Sequence, residues 1–143
     1  VNIGEEQMAV CEMLLARAGE MLPHSYAPYS GFPVAAVIRT ADGREFAGVN
    51  IENEAYGLSL CAERAALACM VTTLGPSARI AVLAIASAKG NPCYPCGACR
   101  QMLLPFSTVE TLVALRAHGE EAPVVLKFSE LLPHPFSRTG KTP

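Results

Sequence analysis

"IAVLAIASA", residues 80–88, is apolar at every position but Ser87 and carries no charge. A run of this kind is a strand buried on both faces, the central strand of a sheet with helices on either side. Its neighbours in sequence supply the helices. Upstream, Ala62–Leu74 reads as a helix closed by Gly75-Pro76. Downstream, residues 96–104 read as a short helix ended by Pro105. Further out, residues 111–116 and 124–128 are strand-like, and their connection, centred on His118-Gly119-Glu120, is too short for a crossover helix. These two strands should therefore be antiparallel.

The N-terminal half extends the pattern. Residues 5–22 place Met8, Cys11, Leu15, Ala18 and Leu22 three or four apart, as on one face of a helix, and Pro23 ends it. Residues 32–40 and 45–51 are strands joined by a turn at Ala41-Asp42-Gly43. The order α-β-β-α-β-α-β-β predicts an α/β fold, a three-layer α/β/α arrangement around a five-stranded mixed sheet. At 143 residues the chain fits a single domain, 1–143.

Composition narrows the function classes. Hydrophobic residues make up 51% and charged ones 17%, an apolar balance that calls for surface buried between subunits. The longest stretch free of Asp, Glu, Lys and Arg, residues 21–38, holds prolines, a histidine and serines, so it does not read as a membrane span. A net charge of −2 without a basic block argues against a nucleic-acid partner. The six cysteines, Cys11, Cys61, Cys69, Cys93, Cys96 and Cys99, accompany no secretory signal; they read as reduced, and the chain as cytoplasmic. Cys11 and Cys69 lie in helical patterns and are expected in the core.

The other cysteines carry chemistry. In "LCAER", residues 60–64, and "PCGACRQ", residues 95–101, Cys61 and Cys96 stand where the chain enters a helix. Free backbone N–H groups and the helix dipole favour a thiolate there. Cys96 and Cys99, three apart, can face one ion, and Cys61 completes a three-thiolate zinc site with a fourth position for water, the form of a catalytic centre. Cys93, Cys96 and Cys99 also make C-x-x-C-x-x-C, but the fourth cysteine of an iron–sulfur run would fall at Leu103. A closed structural zinc knot could take Cys93 as fourth ligand, and would leave Glu63 unexplained. By itself Glu63 is an ordinary first-turn acid. Two residues after a ligating thiol, with P-C-x-x-C downstream, it matches zinc deaminases of nucleobases, in which this glutamate moves protons. Arg64, three residues beyond Cys61, is placed to donate to its sulfur and draw off charge from the thiolates.

These motifs, with "YSGFPVAA", "NIENEAYGLSLCAER" and "ELLPHPF", resemble cytidine deaminases of the small homotetrameric three-cysteine type over nearly the whole chain. The resemblance implies that family's fold and hydrolytic deamination of cytidine and 2'-deoxycytidine, with one Zn2+ per subunit on Cys61, Cys96 and Cys99. It implies Glu63 as acid/base, Phe32 stacking on the pyrimidine, the Ala62 backbone contacting the base, and Asn50 and Glu52 bonding the ribose. It also implies a homotetramer whose sites are completed in trans by Tyr56 and Phe136. Without the neighbouring motifs, Asn50 and Glu52 would be ordinary strand-end polar residues, and Phe32 and Phe136 core residues. Where the family usually has glycine this chain has Ala35, and Cys93-Tyr94 replaces other residues before Pro95. The alternatives are a deaminase of a related aminopyrimidine nucleoside such as blasticidin S, and a non-enzymatic zinc-binding module.

Overall fold

Alternate residues of the second element face two different cores. In the computed structural model, which describes residues 2–89, 92–117, 119–120 and 122–140, the first strand β1 (Val34–Thr40) turns Ala35 and Val37 to one side and Val34, Ala36 and Ile38 to the other. Of the residues named above, His118 lies outside the described set. The remaining elements are α1 (Glu5–Met21), β2 (Glu45–Val49), α2 (Ala62–Leu74), β3 (Ile80–Ser87), α3 (Gly97–Leu103), β4 (Leu112–Ala117), β5 (Val124–Lys127) and a short α4 (Phe128–Leu131). Strand order is β2-β1-β3-β4-β5. β1 runs antiparallel to β2 and β3, β3 parallel to β4, and β4 antiparallel to β5. This is the five-stranded mixed sheet expected from the sequence, including its antiparallel last pair.

One core lies under α1, where Cys11, Leu14, Leu15 and Ala18 meet Val37, Val82, Ala84 and Ala114. The other lies under α2 and α3, where Ala66, Leu67, Met70 and Leu103 meet Ile38, Leu83, Ile85 and Val113. β3 is buried on both sides because helices cover both faces, as its apolar run requires. A bulge refines the register. Arg39 pairs with Val82 but Thr40 pairs with Ile80, skipping Ala81. Ile80 and Leu83 can thus face the same core although they are three positions apart, a step that in a regular strand leads to the opposite face.

Three local expectations are corrected. Cys11 is fully buried, but Cys69 is exposed. It sits at the rim of the buried arc Ala62, Glu63, Ala66, Leu67 and Met70, and α2 covers the sheet-edge pair β1–β2, so no described strand beyond that edge shields it. The strands also start later and end earlier than read: Phe32 precedes β1, and Asn50 to Glu52 follow β2. At Phe128 the chain leaves β5 for α4, because the Glu130 carboxylate reaches back to accept the Lys127 N–H at 2.7 Å.

Gly48 sets how closely α2 approaches β2. A Cβ there would stand 2.6 Å from the Ala62 carbonyl oxygen, closer still to the Ala66 nitrogen, and 2.8 Å from Ala65 Cβ. Two of these neighbours are backbone atoms, so the helix itself would have to move. Gly48→Ala should cost about 3 kcal/mol or more of stability, the upper range for overpacking. It should also disturb the Cys61 thiol at the start of α2. Denaturant unfolding of both proteins measures the first effect, and metal content the second.

Candidate metal centre and active site

Cys61 is the residue that caps the N-terminus of α2, and Cys96 caps α3. Cys99 follows in the first turn of α3 and is fully buried. The two helix starts meet here, and the three Sγ atoms lie within 4.8 Å of one another. Cys61 Sγ and Cys96 Sγ are 3.8 Å apart. Zn–S bonds of about 2.3 Å in a tetrahedron put sulfurs about 3.8 Å apart, so this donor set fits zinc. Among the described residues no other group of His, Cys, Asp and Glu is placed to hold an ion.

Charge around the thiols is arranged for a cation. Hydrogen bonding from the Cys99 thiol lowers the Cys61 pKa to about 5; Arg64 assists against the burial that opposes it. Arg64 Nη2 lies 3.6 Å from Cys61 Sγ and 3.5 Å from the Ser59 carbonyl oxygen, as expected for a group that relieves thiolate charge. Cys99 is pushed upward, first because its proton is held in the bond to Cys61 and then by burial. A divalent cation held by these thiols would take the place of that shared proton. Cys93 is half-buried, and burial raises its thiol to about 11, with the nearby Glu63, Cys61 and Cys96 charges adding. It borders the centre without joining the cluster, which leaves a closed four-thiolate knot without its fourth ligand.

Glu63 is 5% exposed in the first turn of α2. Burial raises its pKa; a hydrogen bond from Cys99 opposes this and the Cys61 charge adds to it. A carboxyl held in so dry a place beside a cation centre is no solvated helix acid. Ala62, fully buried, carries its backbone in the same turn.

The polar residues expected to meet a sugar flank Ile51, which exchanges backbone hydrogen bonds with Leu60, the residue before Cys61. Asn50 is turned inward: Oδ1 accepts the Val34 N–H at 2.9 Å and the Ser25 hydroxyl, and Nδ2 donates to the Phe32 carbonyl at 2.9 Å. Phe32, half-buried, packs on the α2/α3 core. Glu52 Oε1 accepts the N–H groups of Tyr29 and Ser30, each at 3.0 Å. The Ser30 hydroxyl and these N–H groups hold the carboxylate below its usual pKa. Tyr29, Ser30, Glu52, Tyr56 and Ser59 line a cavity of about 270 Å³. Tyr29 and Tyr56 meet edge to face, 6.3 Å between centroids. Tyr56 is 77% exposed and Phe136 75%, so neither belongs to the core of its own chain.

Sequence reasoning did not single out Ser25, Ser30, Tyr29 or Arg100. The first three act on Asn50 and Glu52 across more than twenty residues of chain, a separation without periodicity. Arg100 donates to the Pro95 carbonyl just before the ligand Cys96. Its place inside "PCGACRQ" was the available signal.

A family model described as the cytidine and deoxycytidylate deaminase zinc-binding region matches residues 8–115, which contain all three thiols and Glu63. The chain belongs to this family. It is 38% identical over 134 residues to a cytidine deaminase of Halalkalibacterium halodurans, covering 93% of this chain and 95% of that protein. It is 41% identical over 101 residues to one of Mycobacterium tuberculosis, covering 71% and 74%. Among solved structures it is similar to the cytidine deaminase of Burkholderia pseudomallei, with a TM-score of 0.81 and 35% identity over 87% of this chain and 98% of that one. It is also similar to the M. tuberculosis enzyme, with a TM-score of 0.75 and 37% identity over 88% and 96%. The family's zinc-binding region and the three-thiol cluster together identify zinc as the cofactor.

Cys96→Ala should abolish stoichiometric zinc, because the remaining two thiols lie on different helices. Cys93→Ala should retain it. Elemental analysis of the purified variants reads both, and zinc lost only from the Cys93 variant would reverse the ligand assignment.

Proposed function

We propose that this chain is a hydrolase that deaminates cytidine and 2'-deoxycytidine to uridine and 2'-deoxyuridine with release of ammonia, in pyrimidine salvage. The observation that carries the reading is the buried Glu63 carboxyl two residues after Cys61, in the turn that opens on the three thiols. The named relatives, cytidine deaminases along most of this chain, support it.

When bound, zinc supplies a Lewis acid that makes a water molecule acidic near neutrality. The chain's residues do the rest. Glu63 takes a proton from the attacking water and passes it to the ring nitrogen next to the carbon that bears the amino group. It then takes the remaining proton of the added hydroxyl and delivers it to the departing amine, so that the C–N bond breaks as the hydroxyl oxygen becomes the product carbonyl. Water is consumed and ammonia leaves. Arg64 draws charge off the Cys61 sulfur. Phe32 stacks on the pyrimidine, and the Ala62 backbone meets its edge. Asn50 spends one amide hydrogen on Phe32, which leaves the other for a sugar hydroxyl. Glu52, held ionised, accepts from the sugar through its remaining lone pairs.

Exposed apolar side chains support an assembly. Tyr56, Leu58 and Phe136 are each more than 70% exposed, a large apolar cost for an isolated chain. The proposed unit is a homotetramer of single-domain subunits, cytoplasmic, each with one zinc and with Tyr56 and Phe136 completing a neighbour's site.

Glu63→Gln should bind zinc and fold as the wild type does, yet lose at least about a hundredfold in turnover, because an amide cannot carry the proton. The fall in ultraviolet absorbance as cytidine becomes uridine, with and without a zinc chelator, measures this. Near-normal turnover in the variant would remove Glu63 from the mechanism, and no turnover of cytidine by zinc-loaded wild type would remove the substrate assignment. Phe136→Ala should weaken substrate binding more than it weakens the fold and should lower the tetramer's resistance to dilution. Sedimentation across a dilution series, run beside the activity assay, tests this, and a fully active monomer would contradict completion in trans.

A further inference from the structure

α3 has seven residues and bears two of the three thiols at its start. A helix this short has no stability of its own and is held by what it touches. The two residues that follow Cys99 grip backbone on either side of it, at Pro95 and at two distant positions near the C-terminus. Arg100 donates from Nε to the Pro95 carbonyl and from Nη1 to the Leu131 carbonyl, both at 2.7 Å. Gln101 donates from Nε2 to the Phe136 carbonyl at 3.1 Å. The Pro95 carbonyl belongs to the peptide that leads into Cys96, and Leu131 is the last residue of α4. One guanidinium therefore ties the approach to a ligand to the start of the C-terminal arm, residues 132–140. The next side chain ties the same helix to the arm at its exposed aromatic.

We propose that Arg100 and Gln101 are positioning residues that couple the metal centre to the C-terminal arm, so that zinc on the thiols fixes the arm and the presentation of Phe136. With the ion in place, Cys96 and Cys99 are fastened to Cys61 on α2, and the start of α3 is pinned. Without it, a shared thiol proton is a much weaker tie across the same gap. Arg100 and Gln101 pass this difference in order to the arm, because their donors sit on α3 and two of their three acceptors, the Leu131 and Phe136 carbonyls, lie beside or in the arm. The coupling is reciprocal: docking of the arm on α3 strengthens zinc by the same factor that zinc stabilises the docked arm, so a variant that loosens the arm weakens zinc by up to that factor. Geometry also fixes which side chains can do this. Arg100 bridges two carbonyls with a planar fork, which a lysine ammonium cannot reproduce. That the arm's Phe136 then meets a neighbour's substrate rests on the function proposed above; the coupling itself does not.

Hydrogen–deuterium exchange with zinc as the only added ligand tests the coupling on the full chain. In the wild type, stripping zinc should speed exchange across residues 132–140 by about tenfold or more, as local opening of the arm becomes easier. In Gln101→Met, which keeps the side-chain volume but not the donor, the arm should exchange several-fold faster than wild type even with zinc loaded, on the order of one lost hydrogen bond. Arg100→Lys should release zinc to a chelator about tenfold faster than wild type, since one charge-assisted bond is lost. Unchanged slow exchange of β3 amides verifies that each variant is folded, and Arg100→Lys and Gln101→Met stand as independent probes should either fail to fold. Arm exchange in the wild type that ignores zinc, or an arm in Gln101→Met as protected as in wild type, would overturn the proposal. Neither readout involves nucleoside, so a failed cytidine assay would leave this result standing.

Discussion

Three thiols from two helix N-termini, brought within 4.8 Å of one another, are the constraint on which the rest of the molecule depends. Each helix offers its free N–H groups and positive dipole end to the thiolates it carries. That alone does not balance the charge, since zinc with three thiolates is still negative by one unit. Arg64, on the turn that also carries Cys61, offsets part of it. The fold has to deliver both helix starts to one point. It delivers α2 by laying it against β2 over Gly48, and α3 by placing it in the crossover between the parallel strands β3 and β4.

Beside the thiols, the polar residues have two tasks at once. Asn50 holds the segment from Phe32 to Val34 through its amide, and Glu52 holds the turn at Tyr29 and Ser30. These bonds use only part of each side chain's capacity. The same groups can therefore fix the loop that carries Phe32 and still have donors and acceptors for a small polar ligand. Pre-set geometry of this kind lowers the ordering cost of binding.

Much of this was legible in the chain because strong local signals coincide with global ones. The apolar run at residues 80–88 required covering layers on both faces, and α1 on one side with α2 and α3 on the other provide them. Spacing placed Cys61, Cys96, Cys99 and Arg64 at helix starts, and helix geometry left little freedom for where they point. What escaped depends on contacts between distant segments. Cys69 follows the helical period of the buried face, yet its flank of α2 overhangs the sheet edge, and which strand is the edge is a matter of topology. The skipped Ala81 leaves no mark in composition. α4 is capped by Glu130 from a lysine position, which lacks the usual side-chain cap, so the strand reading ran one residue too far. The inward turn of Asn50 and the reach of Arg100 to Leu131 need the three-dimensional neighbours to be known.

The central claim is that Cys61, Cys96 and Cys99, and no fourth thiol, hold the metal. Cobalt(II), a spectroscopic substitute for zinc in tetrahedral sites, tests it directly: titrated into the metal-stripped chain, it gives a sulfur-to-metal charge-transfer band whose intensity scales with the number of thiolates bound. The account predicts an end point at one ion per chain with the intensity of three thiolates, unchanged in Cys93→Ala. An intensity of four that falls to three in Cys93→Ala, or of two in the wild type, would contradict it.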